Sequence, residues 1–296
     1  MDIEKIIPGL KKGVSLKDYT TFKTGGKARY FFEVKTRKDL IKAVKAARNS
    51  GVPFFLLGGG SNLIADDKGY RGLIVRCQMP NIKYQRNGII YAEAGVKLSD
   101  LAVLSSKKSL TGLEWAAGIP GTIGGAVCGN AGWREEKNSI SSVVKSVEVL
   151  DVGPKLKINK ISAKDCNFGY RNSVFKHNKN LIVLGAFLEL KKGDKKKIEE
   201  EISDILKKRS QKIPAGFSAG SVFKNPEGRY AGELIEKCGL KGKKIGGAKI
   251  SENHANFIIN SGSAKSKDIE ALMDLAKKEV KRKFGIILKE EIQHLK

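Results

Sequence analysis

Between Thr36 and Gly51 the apolar residues fall three and four apart, so Leu40, Ile41, Val44 and Ala47 share one face of a helix. Thr36 with Asp39 three residues on is a variant of the capping box, and Gly51 ends the helix. The unbroken apolar run 52–57 predicts a buried strand, and 30–34 predicts another before the helix, which makes a strand–helix–strand unit. Short strands follow at 73–75, 89–94, 143–150 and 181–190. From 195 to 209 the period returns to that of a helix, with Ile198, Ile202, Ile205 and Leu206 on one side and Pro214 closing the connection. A short helix is expected at 230–238, stopped by Gly239. A long one is expected at 266–284, burying Ile269, Leu272, Met273, Ala276, Val280 and Phe284.

A chain of 296 residues exceeds one ordinary core and is expected to divide into two or three domains. The pattern suggests an α/β lobe over 1–75, a strand-rich lobe over 76–206 and a last domain over 207–296. No apolar run approaches the roughly 20 residues of a membrane span, and the first residues lack the basic-then-apolar layout of a signal peptide. The reading is a cytoplasmic protein without membrane insertion. Cys77, Cys128, Cys166 and Cys238 are scattered, with no C-x-x-C and no nearby histidine pair, so neither a metal site nor a disulfide framework is expected. His177, His254 and His294 stand far apart and form no recognisable triad.

The formal charge of +25 comes mostly from lysine spread along the whole chain. Nucleic-acid binders usually concentrate charge and interleave aromatics, so nucleic acid is not the expected partner. A positive field of this kind attracts small anions.

Two glycine-rich segments carry the strongest chemical signal. Gly58, Gly59, Gly60, Ser61 and Asn62 follow the apolar run at 52–57, and six glycines occupy the fifteen residues from Gly118 to Gly132. Such turns suit one large phosphate-bearing ligand held from two sides, or else tight turns in a β-rich domain. Neither segment contains the Gly-Lys-Ser/Thr of a phosphate loop. A dinucleotide fingerprint fails at Leu63, where its third glycine belongs.

Three further segments offer reactive groups. Arg171, flanked by Tyr170 and Asn172, has a rigid fork suited to a carboxylate or delocalised anion, and suited equally to a structural ion pair. Ser221 follows Gly220 on a tight turn with Lys224 and Asn225 behind it. Without a base it fits proton donation better than acyl transfer. Near the carboxyl terminus, Glu290 and Glu291 include an acid that could organise an enolate beside an arginine and a hydroxyl.

In order along the chain, these segments resemble the UDP-N-acetylenolpyruvoylglucosamine reductase family of flavoenzymes. The resemblance runs from Thr20-Thr-Phe-Lys-Thr-Gly-Gly26 through both glycine segments, Tyr170-Arg-Asn-Ser173 and Gly220-Ser-Val-Phe-Lys-Asn-Pro226. It continues through Gly246-Gly-Ala-Lys-Ile-Ser-Glu-Asn-His-Ala255 to the carboxyl-terminal acid. The short path from Phe175 to Leu181 is similar to the family's second type, which lacks an inserted loop over the substrate. The resemblance implies an α+β chain: a two-lobed FAD-binding domain of the vanillyl-alcohol-oxidase (PCMH) type, then an α+β substrate-binding domain. It implies non-covalent FAD cradled by residues 58–62 and by Gly118, Gly121, Thr122, Gly124, Gly125 and Ala126, their N–H groups meeting the pyrophosphate.

NADPH is the implied reductant, and hydride from reduced FAD passes to the methylene carbon of UDP-N-acetylglucosamine enolpyruvate. By the same resemblance Arg171 and Glu291 stabilise the enolate-like species, Ser221 donates the proton, and Tyr170, Lys212, Lys224 and Asn225 contact substrate. No obligate protein partner is implied. The family ends its motif Glu-Val-Arg, whereas Glu291 is followed by Ile292 and Gln293; aligning Ile292 with the valine favours Glu291 over Glu290. A buried Glu291 is expected to have a raised pKa. Other oxidases of the same flavin fold would keep both glycine turns but have no reason to keep Arg171, Ser221 and Glu291 together.

Overall fold

The computed structural model describes residues 3–133 and 138–296. Its first sheet takes strands Lys11–Ser15, Lys27–Val34, Tyr70–Cys77 and Phe54–Leu57 in that spatial order. The first two pair antiparallel; Tyr70–Cys77 runs parallel to the strands on both its sides. Helix Arg37–Asn49 begins at Thr36, whose hydroxyl accepts from the Asp39 N–H, and it buries Leu40, Ala43, Val44 and Ala47 against this sheet.

The strand–helix–strand unit is present, with Tyr70–Cys77 inserted between its two strands. One expectation for this lobe is corrected. Phe54–Leu57 is an edge strand, and only Leu57 in it is fully buried. An unbroken apolar run therefore marked partial cover on two faces, with the core strand elsewhere.

The second sheet has five antiparallel strands in the order Lys157–Ser162, Val144–Asp151, Leu181–Glu189, Ile89–Glu93 and Ile82–Tyr84. Its core includes Ile90, Val147, Val149, Ala186 and Leu188, with Trp115, Ile123 and Val127. The second glycine segment, read as turns, contains helix Ile123–Gly129. Glycine is a poor helix former, but close approach decides here: a Cβ on Gly124 would stand 2.9 Å from the Ala94 Cβ. Helix Leu98–Ser106 also went unread, because its apolar and polar residues are not sorted onto clear faces.

Helix Lys195–Lys212 buries Ile198, Ile202 and Ile205 and leads to the carboxyl-terminal part of the chain. Leu206, grouped with them on one side of the helix, is 44% exposed. It leans on Gly118, where a Cβ would meet Leu206 Cδ2 at 2.9 Å. The last core gathers helices Ala231–Lys237 and Ser266–Phe284 around strands Ala248–Ile250 and Ile258–Asn260, with Phe223, Leu288 and Ile292. Phe284 packs on it only partly buried.

The end of the chain then crosses back. Strand Gln293–Leu295 pairs parallel with Leu63–Ala65, directly after the first glycine turn. That pairing brings the terminal acids to the first lobe. Among the described residues no helix is long and apolar enough to cross a membrane.

Candidate active site

The two glycine segments meet. Ser61 Oγ donates to the Pro120 carbonyl at 3.1 Å, and a Cβ on Gly58 would lie 2.7 Å from Thr122 Oγ1. Gly60 has φ +63, and a Cβ there would collide with the Tyr19 carbonyl, so this turn requires glycine. Among the described residues, the N–H groups of Gly59, Gly60, Ser61, Gly121 and Thr122 find no protein acceptor.

The amides further along are used internally. Gly124 donates to the Ala94 carbonyl, Gly125 to Thr122 Oγ1 and Ala126 to the Thr122 carbonyl. These three residues therefore have no open amide to offer a ligand. Beside the turn, a cavity of about 390 Å³ is lined by Thr20, Thr21, Gly58, Gly59, Arg76 and Phe217. Open amides around a surface cleared of side chains fit a dinucleotide cofactor such as FAD.

Arg171 lies at the tip of a tight turn closed by two hydrogen bonds between Gly169 and Asn172. Its φ of 52 is left-handed, unusual for a residue with a Cβ, and it throws the side chain back into the fold. There Nε donates to Glu291 Oε1 at 2.7 Å, Nη2 to the Gly132 carbonyl at 2.7 Å and Nη1 to the Asn130 carbonyl at 3.4 Å. Asn130 itself holds the turn through Nδ2 to the Gly169 carbonyl.

Glu291 is placed by its backbone: its N–H donates to the Val222 carbonyl, and its carbonyl accepts from Asn62 Nδ2 at 3.2 Å. One residue thus touches the first glycine turn, the arginine and the segment bearing Ser221. Ser221 pairs with Phe257 in a bridge, and among the described residues its hydroxyl has no hydrogen-bond partner. Asn256, buried, fixes this segment by bonding both the N–H and the carbonyl of Phe223.

The two terminal acids face different surroundings. Glu290 pairs with Lys277 at 2.5 Å and with His294 Nε2 at 2.8 Å, and these partners hold its carboxyl below the usual range although burial opposes them. Burial pushes the Glu291 carboxyl up, and Arg171, Lys176 and Lys224 oppose that shift only in part. The upward direction is the one expected for Glu291. A carboxyl raised in the folded state contributes stability below its unfolded pKa of about 4.5, lost as pH rises through the raised value. A depressed one contributes above it and loses that as pH falls. Glu291→Gln should therefore gain melting temperature relative to the parent as pH rises from about 4 to 7, and Glu290→Gln should lose it. Thermal scans across that range check both signs.

Of the other residues singled out, the Tyr170 hydroxyl accepts from the Asn225 N–H at 3.3 Å, and Arg171 lies 5.5 Å from the Tyr170 ring centre. Asn225 Oδ1 accepts from the Ala231 N–H at the start of a helix. Lys224 Nζ donates to the Arg171 carbonyl at 3.3 Å. Lys212 is exposed in the last turn of its helix and has no hydrogen bond or ion pair with these groups.

Burial raises the thiols of Cys128, Cys77 and Cys166, the last two to about 11, which leaves all three poor nucleophiles. Among the described residues no cluster of ligating side chains suits a metal. Sequence reasoning missed Asn130, Lys176 and Asn256. Asn130, directly after Gly129 and able to adopt a left-handed conformation, carried a readable signal. So did Asn256, a polar residue leading an apolar run.

Residues 28–156 match the FAD binding domain family, and residues 211–295 match the carboxyl-terminal domain of UDP-N-acetylenolpyruvoylglucosamine reductase. The chain is 40% identical over 285 residues to UDP-N-acetylenolpyruvoylglucosamine reductase of Clostridium novyi, covering 96% of this chain and 91% of that protein. It is 44% identical over 284 residues to the Caldicellulosiruptor bescii enzyme of the same name, covering 95% and 88%. A crystal structure of the Thermus caldophilus reductase superposes with a TM-score of 0.82 at 34% identity, covering 97% of this chain and all of that one. The chain belongs to the UDP-N-acetylenolpyruvoylglucosamine reductase family, FAD-dependent oxidoreductases of peptidoglycan precursor synthesis.

Proposed function

We propose that this enzyme uses NADPH to reduce UDP-N-acetylglucosamine enolpyruvate to UDP-N-acetylmuramate, with Arg171, Glu291 and Ser221 as its catalytic groups. The observation that carries the assignment is that Glu291 reaches Arg171 through its side chain and the Ser221 segment through its N–H. Residues 58–62 with Gly118, Gly121, Thr122, Gly124, Gly125 and Ala126 are assigned to FAD, held without a covalent bond. Open amides at Gly59, Gly60, Ser61, Gly121 and Thr122 support contact with its pyrophosphate. Tyr170, Lys224 and Asn225 are assigned to the substrate; Lys212 is assigned to its outer end, on charge and exposure alone. The division at 75 and 206 separates two cofactor-binding lobes from a substrate domain. The reaction is assigned to the cytoplasm, without an obligate protein partner.

When bound, FAD supplies the hydride that this reduction requires. Hydride addition at the methylene carbon leaves an electron pair on the adjacent carbon, conjugated with the carboxylate. Arg171 is held by three acceptors and presents a fixed positive charge to that developing anion. Glu291, biased toward its protonated form by burial, can donate a hydrogen bond where an ionised carboxylate would repel. The Ser221 hydroxyl is free to give its proton to the anionic carbon, which completes the lactyl ether. Hydride and proton together account for the two hydrogens gained.

Purified enzyme is expected to be yellow and to oxidise NADPH steadily only when the enolpyruvoyl nucleotide sugar is supplied. Equal oxidation with molecular oxygen alone would identify an oxidase of the same fold and defeat this reading.

A further inference from the structure

A second pair of cations stands beside the arginine: Lys224, already assigned to the substrate, and Lys176, which so far has no task. Lys176, on the short helix Val174–His177, donates from Nζ to the Arg171 carbonyl at 3.4 Å. Lys224 donates to the same oxygen at 3.3 Å from the opposite segment of chain. Two ammonium groups sharing one acceptor lie within about 7 Å of each other. Among the described residues neither has a carboxylate within ion-pair distance.

An ammonium carries three N–H donors, and each of these spends one on the shared carbonyl. Nearby charge makes the imbalance larger. Lys289 and Arg171 add positive charge around Lys224, and Glu291, already committed to Arg171, is the single carboxylate set against them. Burial holds the Lys224 ammonium below the usual lysine range, and Lys176 adds to the effect. Cations held together without a counter-ion mark where an anion completes the site. Lys224 follows Ser221 by three residues, so that anion lies close to the hydroxyl assigned to protonation.

We propose that Lys176, together with Lys224, receives the carboxylate of the enolpyruvoyl group, and that Lys176 makes the site selective for nucleotide sugars bearing that carboxylate. This rests on the function proposed above and deepens it. The two nitrogens converge on the Arg171 carbonyl, so they position the arginine turn when the site is empty and bridge to the carboxylate when it is filled. The carboxylate then lies against fixed positive charge while negative charge spreads into it from the adjacent carbon.

The test compares two ligands on the FAD-loaded enzyme, by calorimetric titration. UDP-N-acetylmuramate carries the carboxylate; UDP-N-acetylglucosamine is the same nucleotide sugar without it. Lys176→Met is expected to weaken binding of the first by about tenfold or more and to leave the second within about twofold. Lys176→Arg should recover most of the difference, because it restores charge and reach. If the methionine variant does not fold, Lys176→Gln serves for the same comparison, and the bound-flavin spectrum reports an intact fold. Equal weakening of both ligands, or no change in either, overturns the assignment. A parent enzyme that does not prefer the carboxylate-bearing ligand overturns the functional reading, and this inference with it.

Discussion

Ser221→Ala is expected to leave reduction of the bound flavin by NADPH near the parent rate, while its reoxidation by UDP-N-acetylglucosamine enolpyruvate slows about a hundredfold or more. The asymmetry follows from what the hydroxyl touches. It has no hydrogen-bond partner among the described residues, so its removal breaks no contact that holds the fold. The bridge between Ser221 and Phe257 and the bond from Glu291 N–H to Val222 are made by backbone and survive the change. What disappears is the proposed proton source, and losing a positioned general acid typically costs two to four orders of magnitude, roughly 10²–10⁴. Stopped-flow measurement of flavin absorbance separates the two halves. Equal slowing of both would assign Ser221 to structure.

Arg171→Met should lower turnover of the same substrate by about 10²–10³, the usual cost of removing a preorganised charge from a developing anion. Here the loss is compounded. The Gly132 and Asn130 carbonyls lose their donor, and Glu291 keeps its burial but loses the hydrogen-bonded charge that restrains its pKa. The Glu291 carboxyl should therefore titrate still higher in the variant, and the pH profile of the residual activity should shift upward with it. Arg171→Lys is expected to rescue poorly, because one ammonium cannot reach three acceptors arranged for a planar fork. Steady-state rates across pH decide the matter. A variant with parental turnover and an unmoved profile removes Arg171 from the chemistry.

The helices with sorted faces were legible to within a few residues. Arg37–Asn49 and Ser266–Phe284 follow their apolar stripes and end at Ser50 and Gly285. In the second sheet the strands Ile89–Glu93, Val144–Asp151 and Leu181–Glu189 were legible because each buries residues in the core. Legibility failed where an element's surroundings outweighed its own preference. Helix Ile123–Gly129 is one case, since at Gly124 the close approach of Ala94 leaves no room for a Cβ. Strand Lys157–Ser162 is another, because its exposed edge position leaves no burial pattern to read.

The candidate site divides the same way. Arg171, Ser221 and the glycine turns announce themselves by residue type and by neighbours that restrict the backbone. Lys176 does not: one lysine among so many gains meaning only from the carbonyl it shares with Lys224. The choice between the terminal acids could be favoured from Ile292 alone, but their environments differ for a reason no local pattern contains. Adjacent residues on an extended segment point to opposite sides, one toward Lys277 and His294 and the other toward Arg171.

By itself, the sequence determined which stretches could be helix or strand, where the backbone had to be free of side chains, and which reactive residue types were on hand. Only the tertiary structure decided that the last strand runs back beside Leu63–Ala65. That pairing joins strands more than two hundred residues apart and sets Glu291 against Asn62, while Arg171 and the Ser221 segment reach it from elsewhere in the chain. Local propensity acts over a few residues, whereas burial and Coulomb attraction act through space. Those forces, summed over the closed fold, raise the pKa of one glutamate and lower that of its neighbour.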